Sequence, residues 1–291
     1  MLSNINFKKK FSIILFLIIL LFIIYNYFVQ KNFKLIQVKL NSAISGSALQ
    51  LESNKIIIGS DGNDGKSTLY FLDPIALTFT SNDISHLVLD LEGITLNPQS
   101  IILLDEKETS IVVLPNKFPI DLTQSQKIHL NLKIQNNDKN EKLNIGEINK
   151  GIEAITIFED LLLIGSQESG LYLSHQPVFD AQNLLIPQTS LDFNHIEITN
   201  WDKKFKIRDL AYDSPTGTLL VLVQKKKNRS ILKIELNKMA LRAKVIDQVL
   251  IPHQGKWEAI AIIDDSIWIF EDGDYEKSHL RIVTFSYNLK H

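Results

Sequence analysis

The sequence predicts an all-β protein, a β-propeller with five blades counted, preceded by one N-terminal transmembrane helix. Three observations lead to this prediction: an apolar run near the N-terminus, many short strand-like runs after it, and repetition of one hairpin pattern. Short apolar runs broken by Asn, Asp, Gly, Ser and Pro are typical of strands joined by turns. Helical periodicity is scarce after residue 34, and residues 236–249 are the one stretch that fits either a short helix or a loop and strand.

The apolar run covers residues 11–29 and contains no charged residue. About 20 apolar residues are enough to cross a bilayer as a helix. Lys8, Lys9 and Lys10 precede the run, so the positive-inside rule keeps residues 1–10 in the cytoplasm and exports residues 30–291. A cleaved signal peptide is the alternative, but no small-residue cleavage site follows. We therefore predict a single-pass signal anchor in the cytoplasmic membrane, with the propeller domain in the periplasm or outside the cell.

The repeated hairpin is clearest at residues 256–272, where two apolar strands carry a carboxylate at each outer end. Five copies align through a marker residue near the start of the first strand and a residue at the end of the second. These two residues are 13 apart in four copies and 15 apart in the fourth, whose turn at 213–217 accepts the insertion. The markers are Ser47, Glu92, Glu153, Asp209 and Glu258, and the strand ends are Ser60, Asp105, Ser166, Gln224 and Glu271.

Further strand-like runs complete each repeat. A third strand follows each hairpin, and another precedes it, such as residues 86–89 or 244–246. Four strands per repeat are typical of propeller blades. The last repeat lacks a fourth strand at the C-terminus, and residues 33–40 are available to supply it and close the ring. The long step between the second and third hairpins leaves a sixth, degenerate blade open near residues 127–133.

Composition excludes several classes of function. The 291 residues include no cysteine, which excludes disulfides, thiolate metal sites and a cysteine nucleophile. The net charge of −2 predicts no nucleic-acid partner. The seven histidines show none of the spacings typical of zinc sites.

The marker residues are the predicted functional site. Because the first strand of a propeller blade lines the central channel, we expect the ends of all five hairpins to meet at one mouth. Crowded carboxylates of this kind suit a hard cation such as Ca²⁺. The predicted metal ligands are Glu92, Glu153, Asp209, Glu258, Asp105 and Glu271, with Asp61, Glu106 and Asp272 as further members of the ring. The structural alternative, which the recurrence of the marker in every blade favours over the cation, is that each carboxylate accepts backbone N–H groups of the next blade and locks the blades together; direct catalysis is the third interpretation.

Four motifs resemble those of a known family. Residues 90–94, 151–155, 207–223 and 257–261 are similar, in order and spacing, to the motifs of the SdiA-regulated family of bacterial propellers, and the resemblance covers residues 34–287. The esterase-like phytase propellers share similar Glu-Gly motifs and are more distant. Ala154 and Ala259 replace the family's Gly, and Arg208-Asp209 replaces its Ser-Gly. The resemblance implies an exported, N-terminally anchored propeller and is compatible with a cation in the channel.

The favoured function is a binding or interaction module for a protein or small-molecule ligand, with the channel mouth or blade loops as the contact face. The first alternative is a metal-dependent hydrolase of phosphoester, ester or lactone substrates. It requires at least three acidic groups that converge within about 5 Å, so Glu92, Glu153 and Glu258 pointing into blade interfaces would count against it. A scaffold for an envelope complex is the other alternative.

Overall fold

The structure, a computed structural model, describes residues 33–286 except 40–45, 53–54, 61–65, 74–75, 77, 118, 134–150, 168–169, 253–254, 264–265 and 272–278. The predicted membrane anchor at residues 11–29 lies outside the described residues, as do Asp61 and Asp272. Within the described part of the chain, no helix is long and apolar enough to span a bilayer.

Twenty strands in the described residues form five antiparallel units of four, and we number both in chain order. Blade 1 contains β2 (Gly46–Glu52), β3 (Lys55–Ser60), β4 (Thr68–Asp73) and β5 (Thr78–Asp83). Blade 2 contains β6 (Leu91–Leu96), β7 (Ser100–Asp105), β8 (Ser110–Pro115) and β9 (Gln126–Lys133), with a 3₁₀ turn at Leu122–Gln124. Blade 3 contains β10 (Ile152–Phe158), β11 (Leu161–Ser166), β12 (Gly170–Ser174) and β13 (Ser190–Thr199). Blade 4 contains β14 (Lys206–Asp213), β15 (Thr218–Lys225), β16 (Asn228–Asn237) and β17 (Arg242–Leu250). Blade 5 contains β18 (Trp257–Ile263), β19 (Ser266–Glu271), β20 (His279–Ser286) and β1 (Phe33–Lys39).

The first strand of each hairpin lies on the inside of a closed ring. Contacts run from β2 to β6, β10, β14 and β18 and return from β18 to β2. The described residues therefore form a propeller of five blades around a channel. Residues 127–133 belong to β9, the outer strand of blade 2, and so they are not part of a sixth blade.

The N-terminal strand closes the ring, as the sequence predicts. β1 pairs antiparallel with β20, in a register that runs from Phe33 opposite Phe285 to Lys39 opposite His279. The rings of Phe33 and Phe285 pack 4.4 Å apart between centroids. The fifth blade is thus completed by the opposite end of the chain, which holds the first and last repeats together.

One predicted strand differs from the structure. Residues 86–89 form a turn and not a strand, because the carbonyl of Ile84 accepts the N–H groups of Leu87 and Val88. The strand that precedes the second hairpin is β5. Of the two alternatives for residues 236–249, the structure has the loop and strand: β16 ends at Asn237, and β17 follows a short turn.

The core lies between the blades, because each sheet is covered on both faces by its neighbours. The middle strands are therefore continuous apolar runs with almost no exposed residue, as in β7 and β15. Glycines permit close approach of adjacent blades. A Cβ atom on Gly59 would lie 2.6 Å from Leu91 Cδ2, and one on Gly165 would lie 2.7 Å from Ile207 Cγ2.

The outer strands of three blades pair with one another, which the sequence does not predict. Residues 190–194 of β13 pair in parallel with residues 129–133 of β9, and residues 197–199 pair in parallel with residues 242–244 of β17. Unpaired strand edges are templates for aggregation. The edges of blades 2, 3 and 4 are thus partly occupied by each other.

Ring closure by β1 predicts a position-specific loss of stability. Phe33→Ala removes the ring that packs on Phe285, and we expect the free energy of unfolding to fall by about 1–2 kcal/mol. Leu35→Ala, on the same strand but 39% exposed, is the matched control and should cost less than half as much. Urea denaturation of the full chain in detergent measures both. Equal losses for the two variants would argue against a specific role of Phe33 in closure.

Candidate functional site at the channel mouth

The inner strands share a backbone irregularity close to their first residues. In blade 2, Leu91 pairs with Asp105 but Gly93 pairs with Leu104, so Glu92 is the extra residue of a β-bulge. Bulges redirect a side chain while the flanking pairing continues. The corresponding extra residues in blades 3, 4 and 5 are Glu153, Arg208 and Glu258. In blade 1 the register shifts between Gly46 and Leu49.

The fourth blade therefore corrects the predicted alignment by one residue. Its flanking pair is Ile207 and Val223, so the position equivalent to Glu92 is Arg208 and not Asp209. Asp209 instead aligns with a position occupied by small residues in the other blades. These small residues are Gly93, Ala154 and Ala259. The mouth is consequently not a ring of carboxylates, because an arginine occupies one of its positions.

Arg208 bridges the glutamates of the two neighbouring blades. Its Nη1 lies 3.0 Å from Glu153 Oε2, and its Nε lies 3.3 Å from Glu258 Oε2. The guanidinium also donates to Gln224 Oε1 from Nη2 at 2.7 Å. All three charged side chains are less than one-fifth exposed. An ion pair of this kind is screened less than a surface pair and joins three blades.

A second arginine and two polar side chains extend this network. Arg229 Nη2 lies 2.8 Å from Glu258 Oε1, and its Nε donates to the carbonyl of Trp257 at 3.1 Å. On the other side, Gln167 Nε2 donates to Glu153 Oε1 at 2.6 Å and Lys206 Nζ donates to Gln167 Oε1 at 2.9 Å. We call Glu153, Gln167, Lys206, Arg208, Gln224, Arg229 and Glu258 the mouth network.

Burial and ion pairing act in opposite directions on the two glutamates. Burial raises the pKa of the Glu153 carboxyl, and the charge and hydrogen bond of Arg208 oppose this rise. Burial likewise raises the pKa of Glu258, opposed by Arg208 and Arg229. The arginines therefore oppose the effect of burial on the pKa of both carboxyls.

Asp209 occupies the blade-to-blade position that the structural alternative describes. Its side chain is fully enclosed, Oδ2 accepts the N–H of Ile260 at 2.7 Å, and Oδ1 accepts the N–H of Leu210 at 2.8 Å. Burial raises its pKa well above the ordinary range, and the two backbone hydrogen bonds counteract this. Asp209 thus joins blade 4 to blade 5 and is enclosed between them, away from the channel mouth.

Asp105 and Glu271 lie inside their own blades. Asp105 accepts the N–H of Leu89 at 3.1 Å and lies 3.8 Å from Lys127 Nζ. Glu271 accepts from Arg281 Nη1 at 2.9 Å. Their partners Lys127 and Arg281 belong to β9, the fourth strand of blade 2, and β20, the third strand of blade 5. Neither carboxylate joins Glu92, Glu153 or Glu258.

A different acidic group converges at the blade 2 side of the mouth. Ligand atoms of Asp90, Glu92 and Glu106 lie within 4.8 Å of one another. Glu106 Oε1 also accepts the N–H of Gly151, at 2.5 Å, and so joins blade 2 to blade 3. Burial raises the pKa of Glu106 to about 7, helped by the charges of Glu153 and Asp90. Three carboxylates of this spacing fit a hard cation such as Ca²⁺ better than a soft metal.

A metal-dependent hydrolase requires three converging acidic groups, and Glu92, Glu153 and Glu258 do not meet this requirement. Arg208 contacts both Glu153 and Glu258, and among the described residues neither of these carboxylates belongs to a group of three acidic side chains within 4.8 Å of one another. Asp90, Glu92 and Glu106 do satisfy the distance condition. The sequence prediction included Glu106 only as a further member of the ring and did not include Asp90. Both residues belong to the same hairpin motif as Glu92, and this shared motif was the available signal.

The described residues of this region line a small cavity and a larger groove. Residues of the inner strands, including Thr95, Thr156 and Tyr212, line a cavity of about 30 Å³, roughly the volume of one water molecule. A larger groove of about 360 Å³ lies beside the mouth network and shares Gln167 with it. Trp201 and Phe205 form one side of this groove, with ring centroids 5.6 Å apart in an edge-to-face arrangement. The groove has room for a small ligand, and the described cavity between the inner strands of blades 2 to 5 has room for about one water molecule.

The architecture is similar to that of solved propeller-like structures. Glutaminyl cyclase from Myxococcus xanthus matches with a TM-score of 0.52 and 11% identity, covering 88% of this chain and 97% of that one. A putative oxidoreductase (glucose dehydrogenase) from Thermus thermophilus gives 0.48 and 13% identity, covering 86% and 99%. The Cps50 (Swd1) β-propeller domain from Myceliophteria thermophila gives 0.38 and 7% identity, covering 85% and 99%. No protein-family model and no curated protein matches the sequence. These likenesses concern the fold alone, and the names include both enzymes and a propeller domain without a stated activity.

Arg208 provides the first test of the mouth network. Arg208→Met leaves two partly buried carboxylates without their shared cation, and we expect a loss of about 2–4 kcal/mol in the free energy of unfolding at mildly alkaline pH. The triple variant Arg208→Met, Glu153→Gln, Glu258→Gln should recover most of this loss. Arg242→Met, which breaks an exposed pair with Glu197, is the control and should cost under about 0.5 kcal/mol. Similar losses for Arg208 and Arg242 would contradict the role of burial.

Glu106 provides a test by pH. Its folded-state pKa is raised to about 7 from 4.5, so the unfolded chain ionises first, and the stability contributed by this group is lost as pH rises from about 4.5 to about 7. Glu106→Gln keeps an oxygen for the Gly151 N–H but cannot ionise. Relative to the unmodified chain, the variant should gain stability over this window by about 1–2 kcal/mol, because solvent screens a half-buried carboxylate. Denaturation in EDTA across the window measures this difference; a difference that does not change with pH would contradict it.

Proposed function

We propose that this protein is a membrane-anchored, extracytoplasmic β-propeller that acts as a binding module, with the charged mouth and its adjoining groove as the contact face. The observation that carries the proposal is the pairing of Arg208 with both Glu153 and Glu258. Charged groups that are already oriented by partners form a pre-organised polar surface, which lowers the cost of binding a ligand. The apolar run at 11–29 and the lysines before it support the anchor in the cytoplasmic membrane and the N-in orientation.

The motifs around Glu92, Glu153, Arg208 and Glu258 support membership of the SdiA-regulated family as part of this proposal. The structure gives those motifs a physical role, since each coincides with the bulge of an inner strand. A bulge needs a particular local sequence, and its recurrence in four blades explains why the motifs recur at similar spacing. The ligand is a protein or a small polar molecule that contacts the face without passing through the ring.

A cation is the second part of the proposal. Asp90, Glu92 and Glu106 supply three oxygen ligands at one edge of the mouth, and Ca²⁺ accepts such ligands in flexible geometry. A cation here would neutralise the negative charge that these three carboxylates bring together. It would act on the blade 2 side as Arg208 acts between blades 3, 4 and 5.

Calcium binding predicts a ligand-dependent rise in stability. Added at about ten times its dissociation constant, Ca²⁺ should stabilise the full chain in detergent by about 1–2 kcal/mol, seen as a higher midpoint in thermal unfolding. Glu92→Gln should remove most of this rise. Glu235→Gln, which neutralises an exposed carboxylate on β16 away from the mouth, is the control and should leave it unchanged. A rise that persists in Glu92→Gln would place the cation elsewhere, and no rise at millimolar Ca²⁺ would remove the cation from the proposal.

The alternative function is a metal-dependent hydrolase of phosphoester, ester or lactone substrates, and the convergence of Asp90, Glu92 and Glu106 is the observation that favours it. The two functions separate in one assay of the calcium-loaded chain with chromogenic phosphoester, ester and lactone substrates. Turnover that depends on Ca²⁺ and is lost in Glu92→Gln but retained in Glu235→Gln would establish the hydrolase. Calcium-dependent stabilisation without turnover of any class supports the binding module.

A further inference from the structure

The direction of β1 determines which face of the propeller lies next to the N-terminal segment. Inner strands start at the mouth network and run to the opposite face, so β18 ends there at Ile263. The register links Phe33 to Phe285, Phe285 to Ile267 and Ile267 to Ile262. Phe33, the first residue of β1, is therefore level with the end of β18. The chain enters the propeller on the face opposite the mouth network, which we call the entry face.

The connection between this face and the predicted membrane segment is short. The apolar run ends at residue 29 and β1 begins at Phe33. Four steps of extended chain reach at most about 14 Å. An inner strand such as β10 has seven residues and is about 20 Å long. With the segment in a bilayer, the entry face is held close to the lipid surface, while the mouth network lies about 20 Å farther out.

The entry face presents apolar side chains at the tips of its loops. Leu184 and Ile186, in the connection between β12 and β13, are 52% and 37% exposed, and Met239, in the turn between β16 and β17, is 89% exposed. Contacts fix both loops on this face. The carbonyl of Asn183 accepts from Asn97 Nδ2 in the β6–β7 turn, and Lys238 pairs with Glu159 in the β10–β11 turn.

The charges of this face do not favour attraction to anionic headgroups. Its carboxylates at Asp121, Glu159, Asp160, Asp180 and Asp213 outnumber the lysines Lys34, Lys117 and Lys238, of which Lys238 is paired with Glu159. A surface that bound lipid through electrostatics would need an excess of lysine or arginine. Single exposed apolar residues need no explanation in general, but here they lie on the face to which a four-step connection ties a predicted membrane segment.

We propose that the entry face lies against the bilayer, with Leu184, Ile186 and Met239 at the level of the lipid headgroups, and that the mouth network and its groove face away from the membrane. The inference rests on the membrane anchor of the proposed function and adds an orientation to it. The partner that the entry face contacts is the lipid surface itself. Contact with zwitterionic lipid is sufficient, because insertion of apolar tips needs no anionic headgroup.

The absence of cysteine in the chain makes the test direct. Single-cysteine variants Met239→Cys and Leu184→Cys report on the entry face, and Lys203→Cys, exposed in the groove beside the mouth, is the matched control. Each full chain is labelled with an environment-sensitive fluorophore and reconstituted into phosphatidylcholine vesicles that carry a nitroxide quencher at headgroup depth in both leaflets. Quenching then does not depend on which side of the vesicle the propeller occupies.

Flotation separates the anchor from the orientation. If the chain floats with the vesicles, we expect quenching at positions 239 and 184 to be at least about threefold stronger than at position 203. Floated chains with equal quenching at all three positions, or stronger quenching at 203, would overturn the orientation while the anchor stands. A chain that stays at the bottom of the gradient would overturn the anchor and the orientation with it. Shielding of position 239 in lipid-free detergent that increases with protein concentration would assign the face to a second copy of the chain instead.

Discussion

Five inner strands bring their first residues around one narrow channel, and the arrangement of the mouth depends on how the groups that meet there are neutralised. In blades 2 to 5, a bulge near the start of the inner strand turns one side chain toward its neighbours, and in three of them that side chain is a glutamate. Carboxylates this close cannot all remain ionised without a compensating charge. Arg208 occupies the equivalent position of the fourth blade and compensates the two adjacent ones.

The same position also explains how the blades are held together. The residue after the bulge faces the next inner strand, and three blades keep it small: a Cβ atom on Gly93 would lie 3.1 Å from the backbone nitrogen of Ile155. Blade 4 instead carries Asp209, whose carboxylate accepts the N–H of Ile260, the residue of blade 5 equivalent to Ile155. At this position, blade 2 contacts blade 3 through close backbone packing, and blade 4 contacts blade 5 through a buried hydrogen bond. In blade 4, charge compensation by Arg208 and the link to blade 5 by Asp209 therefore come from neighbouring residues of one strand.

The propeller, its five hairpins and the closing strand could be predicted from the sequence, because each four-strand repeat is recognisable as a series of apolar runs separated by turn residues. The register of the fourth blade could not. Its turn is longer, and counting from the carboxylate selected Asp209, whereas the pairing of Ile207 with Val223 selects Arg208. The departure of Arg208-Asp209 from the family's Ser-Gly was the available signal, since it aligned Asp209 with the glycine. The pairing of β13 with β9 and β17 depends on how the blades twist and has no local sequence pattern.

The described cavity and groove differ in what they can hold. The cavity of about 30 Å³ among the inner strands of blades 2 to 5 is close to the size of one water molecule, whereas the groove of about 360 Å³ beside the mouth has room for a small ligand. At the mouth, Glu153 and Glu258 are already paired with Arg208, and a simple ion would have to compete with these internal pairs. A larger ligand can avoid this competition: it can form hydrogen bonds with the mouth network while its apolar part contacts Trp201 and Phe205 in the groove. Gln167, which bonds Glu153 and Lys206 and also lines the groove, makes these two surfaces one contact region.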